Sequence, residues 1–320
     1  MNIGLVVILY ATWSSVFSLA KIALQYSPPV FLTSIRMLIA SVLILGFLGI
    51  AKRSALSLSR KQIFSLCLLG FFSVYLSNIL EFWGLQHLTA AKACFIYSLS
   101  PFFAAFFSYL HFKEKMNRRK WIGMGIGMIG VIPILSMQSG SEELLHAFSF
   151  FTWPTLALMG AAASSIYGWV LLRVAVKDSN ISPLAANGMS MLFGGLLALV
   201  HSSVVDNWNP LPVAPQNWGP FLQITLAITC VSSILCYNLY GIMLKRFTAT
   251  FLSFMGLLSN IFAPLHGWIF LGEPISWMIF ASTAVLSMGL WIVYSAELKQ
   301  GYIVKATRAS QEITQNATDG

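Results

Sequence analysis

Long apolar runs, separated by short polar links, follow one another along almost the whole chain. A membrane-spanning helix needs about 20 largely apolar residues. Ten runs come close to that length, at about 4–24, 30–50, 62–85, 89–111, 121–137, 153–175, 183–203, 220–244, 249–271 and 275–296. These predicted spans 1 to 10 lack the alternation of transmembrane strands, so the pattern predicts an all-α integral membrane protein with ten transmembrane helices.

Composition supports the membrane assignment and gives no sign of an enzyme. Of the 320 residues, 57% are hydrophobic and 9% are charged, whereas soluble domains carry about 25% charged residues. The sequence has no glycine-rich phosphate loop, no zinc-type histidine motif and no nucleophile elbow. Its four cysteines lack the spacing of metal ligands. The sequence therefore predicts no catalytic activity, no cofactor and no metal site.

The basic residues are distributed unevenly between the two sides of the predicted bundle. The net charge is +9, and 16 of the 19 Lys and Arg residues lie on alternate links or in the tail. The positive-inside rule then places both termini in the cytoplasm. The basic surplus is an orientation signal and requires no nucleic-acid partner. Glu114, between two lysines, is expected in a solvated charge run, and residues 297–320 are expected to form a disordered cytoplasmic tail.

The chain contains an internal repeat. Residues 89–130 align with residues 248–289 at an offset of 159, and this alignment pairs Glu114 with Glu273. The charge distribution places Glu114 inside and Glu273 outside, so the repeat is inverted relative to the membrane.

The repeat divides the chain into two halves, residues 1–137 and 153–296, followed by the tail at 297–320. Each half holds five predicted spans, and because five is odd the second half enters the membrane inverted. Inverted repeats are typical of secondary transporters, in which one half moves against the other around a central site.

Two charged residues in the apolar runs are the first candidate site residues. Glu81 lies near the end of span 3 and Lys92 near the start of span 4, on either side of the link "GLQHL". A charge inside a lipid-length segment is costly, which favours a function such as contact with substrate or coupling to protons. The alternative is a structural ion pair, or a lysine that extends to the outer surface.

Arg36, about seven residues into span 2, is a third charged candidate. A guanidinium can bind a carboxylate through two hydrogen bonds. Bonding between helices is the alternative explanation.

Aromatic residues near mid-helix form a second group of candidates, namely Trp13, Phe17, Tyr97 and Tyr167. Their rings could stack on a flat or cationic ligand. Other aromatic residues stand at helix ends, where membrane-interface belts explain them.

Asn238 and two prolines complete the candidate site. Asn238 pairs with Glu81 when the stretch "EFWG" is matched to "NLYG", so it is expected to face the same cavity, although hydrogen bonding between helices is the usual role of such a residue. Pro101 and Pro264 are expected to break or bend spans 4 and 9 and so to free carbonyl groups near a cavity.

The chain resembles EamA-type members of the drug/metabolite transporter superfamily over about residues 1–296. The stretches that carry the resemblance are "ATWSSVFSLAKIAL", "PPVFLTSIRMLIASVLIL", "LTAAKACFIYSLSPFFAAFFSYLHFKEK", "WIGMGIGMIGV" and "FLGEPISW". The resemblance implies ten helices, two repeats and transport of small organic metabolites. The chain departs from the family pattern at Glu81 and Lys92, where apolar, aromatic or small residues are usual, and at Asn260, where a proline is expected.

These observations predict a secondary transporter in the bacterial cytoplasmic membrane that moves a small polar metabolite by alternating access. The site is expected between the halves, in predicted spans 1, 2, 3, 4, 6, 8 and 9. One acid, two bases and several aromatic rings suit a zwitterion that carries a ring or a cation.

The sequence does not determine the substrate. In its overall character the chain also resembles the S-adenosylmethionine/S-adenosylhomocysteine exchangers of obligate intracellular bacteria, which implies S-adenosylmethionine as substrate. The alternatives are an exporter of amino acids or drugs, a membrane enzyme of lipid or isoprenoid metabolism, and a membrane scaffold. The sequence leaves homo-oligomerisation open.

Overall fold

The computed structural model describes residues 3–88, 93, 96–138, 152–209, 211–262, 265–266 and 278–301. Its α-helices, in chain order, are α1 (Ile3–Ala23), α2 (Pro29–Ala51), α3 (Arg60–Leu69), α4 (Ser77–His87), α5 (Ser100–Phe112), α6 (Arg118–Gln138), α7 (Trp153–Arg173), α8 (Pro183–Val205), α9 (Trp218–Ile228), α10 (Tyr237–Met243), α11 (Ala249–Met255) and α12 (Met278–Lys299). Three π-helical segments follow α3, α7 and α9, at Gly70–Leu76, Val174–Asp178 and Thr229–Cys236. Short 3-10 helices lie at Arg53–Leu56, Pro215–Asn217 and Gly256–Leu258. These residues contain no β-strand.

Six of the described helical segments are long and apolar enough to cross a bilayer, namely Gly4–Ala23, Pro29–Ala51, Arg60–His87, Trp153–Asp178, Pro183–Val205 and Pro215–Met243. The prediction of an all-helical, multi-pass membrane protein is therefore confirmed. The other predicted spans, 4, 5, 9 and 10, fall on α5, α6, α11 and α12, which lie beside residues outside the described ranges. The number ten stays a prediction.

Local sequence signals explain where several helices begin. At the start of α3, Ser59 Oγ accepts a hydrogen bond from the Gln62 backbone N–H, and the Gln62 side chain accepts one from the Ser59 backbone N–H. This reciprocal capping box satisfies two N–H groups that the helix leaves unpaired. Prolines stand in the first turns of α2, α7 and α8, where their missing N–H has no cost.

Two of the π-helical segments occupy matching places in the two predicted halves. Gly70–Leu76 joins α3 to α4 in one continuous rod, and Thr229–Cys236 joins α9 to α10 in the same way, with starting points 159 residues apart. Such segments loosen the regular hydrogen-bond ladder and occur frequently at functional sites. Asn78 and Asn238 each lie two residues beyond the end of their segment.

Glycines bring α6 and α12 into close contact. A Cβ atom on Gly289 would lie 2.6 Å from the Gly123 carbonyl oxygen and 2.9 Å from the Gly127 Cα atom. Small residues of this kind let two helix backbones approach in a membrane, where packing rather than hydrophobicity drives association. The pair α2 and α8 packs in a similar way, with Gly188 against Leu45 and Gly195 against Leu38.

A buried ion pair ties α6 to the end of α12. Lys120 Nζ lies 2.6 Å from Glu297 Oε1, and both side chains are at most 1% exposed. Thr248, which caps the start of α11, donates its hydroxyl hydrogen to Glu297 Oε2 at 2.5 Å. Glu297 thus belongs to helix α12, which continues to Lys299, three residues beyond the position at which the sequence suggests that the helix ends.

A second buried ion pair joins the link after α5 to the end of α7. Arg173 Nη1 lies 2.6 Å from Glu114 Oε1. The Arg173 guanidinium also lies over the Phe112 ring, 4.2 Å from its centroid. The expectation that Glu114 belongs to a solvated charge run is wrong, because its carboxylate is buried against this arginine.

Candidate functional site

A central cavity lies among residues of predicted spans 1, 2, 3, 4, 6, 8 and 9, the same spans that the sequence places around the site. Its empty volume is about 1000 Å³, counting the space at its opening. Its lining combines aromatic rings with a few charged and polar groups, which is the usual character of a small-molecule site.

One face of α4 presents three residues to the cavity, and one of them is charged. Asn78, Glu81 and Phe82 are spaced three and four residues apart, which places them on neighbouring positions of the helix surface. All three line the cavity, and Arg36 of α2 lines it beside them. The sequence candidates Glu81 and Arg36 are thus brought into one cavity.

Arg36 is held by α4. Its Nη2 donates a hydrogen bond to Asn78 Oδ1, and its guanidinium carbon lies 5.1 Å from the centroid of the Phe82 ring. The Arg36 residue is 2% exposed, and its Nε has no hydrogen-bond acceptor among the described atoms. The guanidinium therefore has one buried donor, Nε, that is unpaired among the described atoms of a residue that lines the cavity.

Glu81 is oriented by an aromatic hydroxyl. Tyr97 donates a hydrogen bond from its hydroxyl to Glu81 Oε2 at 2.7 Å, and the Tyr97 ring meets Phe17 nearly edge-on at 6.0 Å. The sequence candidates Tyr97 and Phe17 both line the cavity. Lys92, the predicted alternative partner of Glu81, lies outside the described residues.

A cluster of aromatic rings forms another wall. Trp13 contacts the rings of Trp169, Tyr237 and Tyr240 at centroid distances of 5.6, 5.6 and 5.9 Å. The Tyr10 ring stacks against Trp13 at 6.3 Å, and its hydroxyl donates to the Leu252 carbonyl oxygen at 2.6 Å. All five residues line the cavity, and their ring faces and edges can hold a planar or cationic group.

Asn260 contributes an amide at the side formed by predicted span 9. Its Nδ2 donates hydrogen bonds to Ser98 Oγ at 3.3 Å and to the Leu257 carbonyl oxygen at 3.2 Å. Its Oδ1 has no hydrogen-bond donor among the described atoms. The residue that departs from the family proline thus lines the cavity and has a buried acceptor that is unpaired among the described atoms.

Tyr167 does not line the cavity. Its ring packs instead against Phe72, Phe107 and His111, at centroid distances of 4.8, 5.2 and 5.5 Å. Ser165 and Trp169 are four residues apart on α7, so they share the face of the helix that lines the cavity. Tyr167 is two residues from each of them and lies on a different face.

Asn238 also lies outside the cavity lining. Its Oδ1 accepts a hydrogen bond from Asn187 Nδ2 at 3.0 Å, and its Nδ2 donates to the Ile234 carbonyl oxygen at 2.7 Å. Its structural counterpart is Asn78 rather than Glu81, since both asparagines follow a π-helical segment by two residues. The matched stretches "EFWG" and "NLYG" are short and mostly apolar, so an alignment based on them can be wrong by a few residues.

Of the two prolines that the sequence selected, the structure describes Pro101 alone. Pro101 stands in the first turn of α5, directly after a turn at Ser98 and Leu99, so a new helix begins at this proline beside the cavity. Pro264 lies outside the described residues.

Sequence analysis did not select several residues that line the cavity, namely Tyr10, Asn78, Trp169, Tyr237, Tyr240 and Asn260. The spacing of Tyr237 and Tyr240 and the departure at Asn260 were usable signals. For Asn78, its place after a π-helical segment is visible only in the structure.

The comparison with protein families decides the class of this molecule. The EamA-like transporter family matches residues 1–136 and 152–295, which together are most of the chain. The chain belongs to the EamA-like transporter family. As a member of this family it is a transporter and not an enzyme, as its sequence predicted.

Two relatives of this EamA-like chain carry a more specific name. The S-adenosylmethionine/S-adenosylhomocysteine transporter of Chlamydia trachomatis serovar L2 is 38% identical over 293 residues, which cover 91% of this chain and 88% of that protein. The protein of the same name from Chlamydia muridarum is 37% identical over 295 residues, covering 92% of each chain.

A solved protein structure has the same fold. It superposes with a TM-score of 0.68 and covers 90% of this chain and 94% of its own chain, at 15% sequence identity. At that identity the likeness concerns the fold of this EamA-like protein and nothing further.

Proposed function

We propose that this transporter exchanges S-adenosylmethionine for S-adenosylhomocysteine across a bacterial cytoplasmic membrane. The observation that carries the proposal is the cavity, which combines Arg36, Glu81 and an aromatic wall. The relatives that bear this activity in their names are 37–38% identical over more than nine tenths of the chain.

The chemistry of the two ligands fits these three features. Each ligand carries an amino group, a carboxylate and an adenine ring, and S-adenosylmethionine adds a sulfonium cation. Arg36 suits the carboxylate, Glu81 suits a cationic group, and the rings around Trp13 suit adenine. The two ligands differ by one methyl group and one charge, so a single cavity can hold either in turn, which exchange requires.

The proposed architecture is ten helices in two inverted five-helix repeats, residues 1–137 and 153–296. The paired π-helical segments and the matching positions of Asn78 and Asn238 support this division. The packing of α2 on α8 and of α6 on α12 also supports it, because inverted repeats related by a twofold axis place equivalent helices in contact. Alternating access then follows from movement of one half against the other around the cavity.

The proposed orientation places both termini in the cytoplasm. The basic links support it, since Lys and Arg concentrate on the cytoplasmic side of membrane proteins. Both buried ion pairs then lie at the cytoplasmic end, where Glu114 of the first half meets Arg173 of the second and Lys120 meets Glu297 in the same way.

The test is exchange by the purified protein in liposomes. Vesicles loaded with unlabelled S-adenosylhomocysteine are mixed with labelled S-adenosylmethionine, with empty vesicles and protein-free vesicles as controls. We expect uptake that requires both the protein and the internal ligand. Uptake of labelled amino acids with no response to either adenosyl compound would assign the cavity to amino-acid transport and overturn the proposal.

A further inference from the structure

Two asparagines share a pair of matching hydrogen bonds in the two halves of the chain. Asn78 Nδ2 donates to the Val74 carbonyl oxygen at 2.8 Å, and Asn238 Nδ2 donates to the Ile234 carbonyl oxygen at 2.7 Å, four residues back in both cases. Each amide oxygen then faces a neighbouring helix and accepts a hydrogen bond from it. These two hydrogen bonds join α4 to α2 in the first half and α10 to α8 in the second.

The donors on the neighbouring helices differ in charge. Asn187 of α8 supplies the hydrogen bond in the second half, and Arg36 of α2, one helical turn farther from the start of its helix, supplies it in the first. A neutral amide is therefore sufficient for this contact between helices. The structural contact does not explain why the first half carries a guanidinium, whose burial is far more costly than that of an amide.

No described carboxylate lies within ion-pair distance of Arg36, although the negative charge of Glu81 acts on it from farther away. The two ion pairs found among the described residues are Lys120 with Glu297 and Arg173 with Glu114, and neither involves Arg36. Arg36 is 2% exposed, and its Nε lacks an acceptor in the described part of the chain. Glu81 lines the same cavity but lies beyond ion-pair distance, with one carboxylate oxygen accepting the Tyr97 hydroxyl hydrogen.

We propose that Arg36 is the residue that selects for a carboxylate on the transported ligand. The inference rests on the proposed function, since both adenosyl ligands carry a carboxylate. The ligand carboxylate accepts hydrogen bonds from the guanidinium, and the contacts with Asn78 and Phe82 hold the group in place. Arg36 thereby excludes adenosyl compounds that lack the carboxylate, because they leave its buried charge without a partner.

The test compares two ligands that differ in that group alone, S-adenosylmethionine and its decarboxylated form, as competitors of labelled S-adenosylmethionine uptake in liposomes. The wild-type protein is expected to prefer the carboxylate form by at least about tenfold, the value of one charge-assisted hydrogen bond. In Arg36→Gln, which keeps an amide for the contact with Asn78, the preference is expected to fall to within about threefold, through loss of affinity for the carboxylate form.

A matched control separates specificity from helix packing. Asn187→Ala removes the equivalent contact in the second half, and Asn187 does not line the cavity. This variant is expected to lower transport of both ligands alike and to keep the preference between them. If Arg36→Gln does not fold, Arg36→Lys keeps the charge without the paired hydrogen-bond donors, and its preference for the carboxylate form is expected to fall below that of the wild-type protein.

Each outcome decides between the hypotheses. Arg36→Gln that retains the full preference, or that loses both ligands in equal proportion, overturns the role of Arg36 and leaves the exchange activity standing. Exchange of S-adenosylmethionine by the wild-type protein without a preference for the carboxylate form would also overturn the role of Arg36 and leave the exchange activity standing. A wild-type protein that does not exchange S-adenosylmethionine at all overturns both proposals.

Discussion

The Tyr97 hydroxyl donates a hydrogen bond to Glu81 Oε2 at 2.7 Å inside the central cavity. The hydrogen bond fixes one oxygen of the carboxylate, and an acidic group held in this way can receive a cation without first rearranging. Phe17 in turn supports the Tyr97 ring, so three sequence candidates act as one unit.

Neutralising Glu81 is expected to impair exchange more than removing its hydroxyl partner. Glu81→Gln should lower the rate of S-adenosylmethionine exchange at least about tenfold, whereas Tyr97→Phe, which removes one neutral donor, should lower it about two- to tenfold. Both are measured in loaded liposomes at equal protein content. Trp83→Phe is the control on the same helix, because Trp83 does not line the cavity and is partly exposed on the protein surface. Normal exchange by Glu81→Gln would show that the carboxylate has no part in transport.

Replacing Trp13 is expected to weaken binding of the adenine ring. Stacking of a base on an aromatic side chain contributes about 1–3 kcal/mol, so Trp13→Leu should raise the half-saturating concentration of S-adenosylmethionine about 5- to 150-fold. Tyr167→Leu is the matched control, since its ring packs against Phe72 and Phe107 outside the cavity. Equal effects of the two substitutions would argue against a role of Trp13 in ligand binding.

The ion pair between Arg173 and Glu114 is expected to stabilise the fold only while both partners are present. Arg173→Met leaves a buried carboxylate without its partner and should lower the free energy of unfolding by about 3–5 kcal/mol. The double variant with Glu114→Gln should recover most of that loss. Thermal unfolding in detergent measures both effects. Arg53→Gln, at an exposed position, is the control and should change little. A double variant no more stable than Arg173→Met would contradict this account.

The contact between α6 and α12 is expected to tolerate no side chain at Gly289. A Cβ atom there would lie 2.6 Å from a backbone oxygen and 2.7 Å from a backbone nitrogen of α6, so Gly289→Ala should destabilise the protein by about 1–3 kcal/mol. Gly125→Ala is the matched control, because nothing lies within 4 Å of its Cβ position. Alanine is the better helix former by about 1 kcal/mol, so this control should be neutral or slightly stabilising. The test is whether the melting temperature of Gly289→Ala lies below that of Gly125→Ala, as we expect; the reverse order would contradict this account.

Part of the site could be read from the sequence because charge and aromaticity are unusual inside apolar runs. Arg36 and Glu81 stood out for their cost in lipid, and the structure brings both into one cavity with Trp13, Phe17 and Tyr97. Tyr167 and Asn238, which the sequence also selected, do not line the cavity. The direction of a side chain depends on the rotation of its helix, and a π-helical segment shifts that rotation by amounts that a sequence pattern does not record.

The sequence by itself determined the membrane location, the helical class and the family, because long apolar runs must satisfy their backbone hydrogen bonds within helices. It also predicted an internal repeat from the order of residues, and the repeat stays a prediction. Only the tertiary structure decided which polar groups meet. Glu114 is buried against Arg173 and Glu297 against Lys120, although both acids lie at helix ends where the sequence suggests solvent. Pairing between distant residues arises from helix packing, and a single sequence carries no signal of which distant faces come into contact.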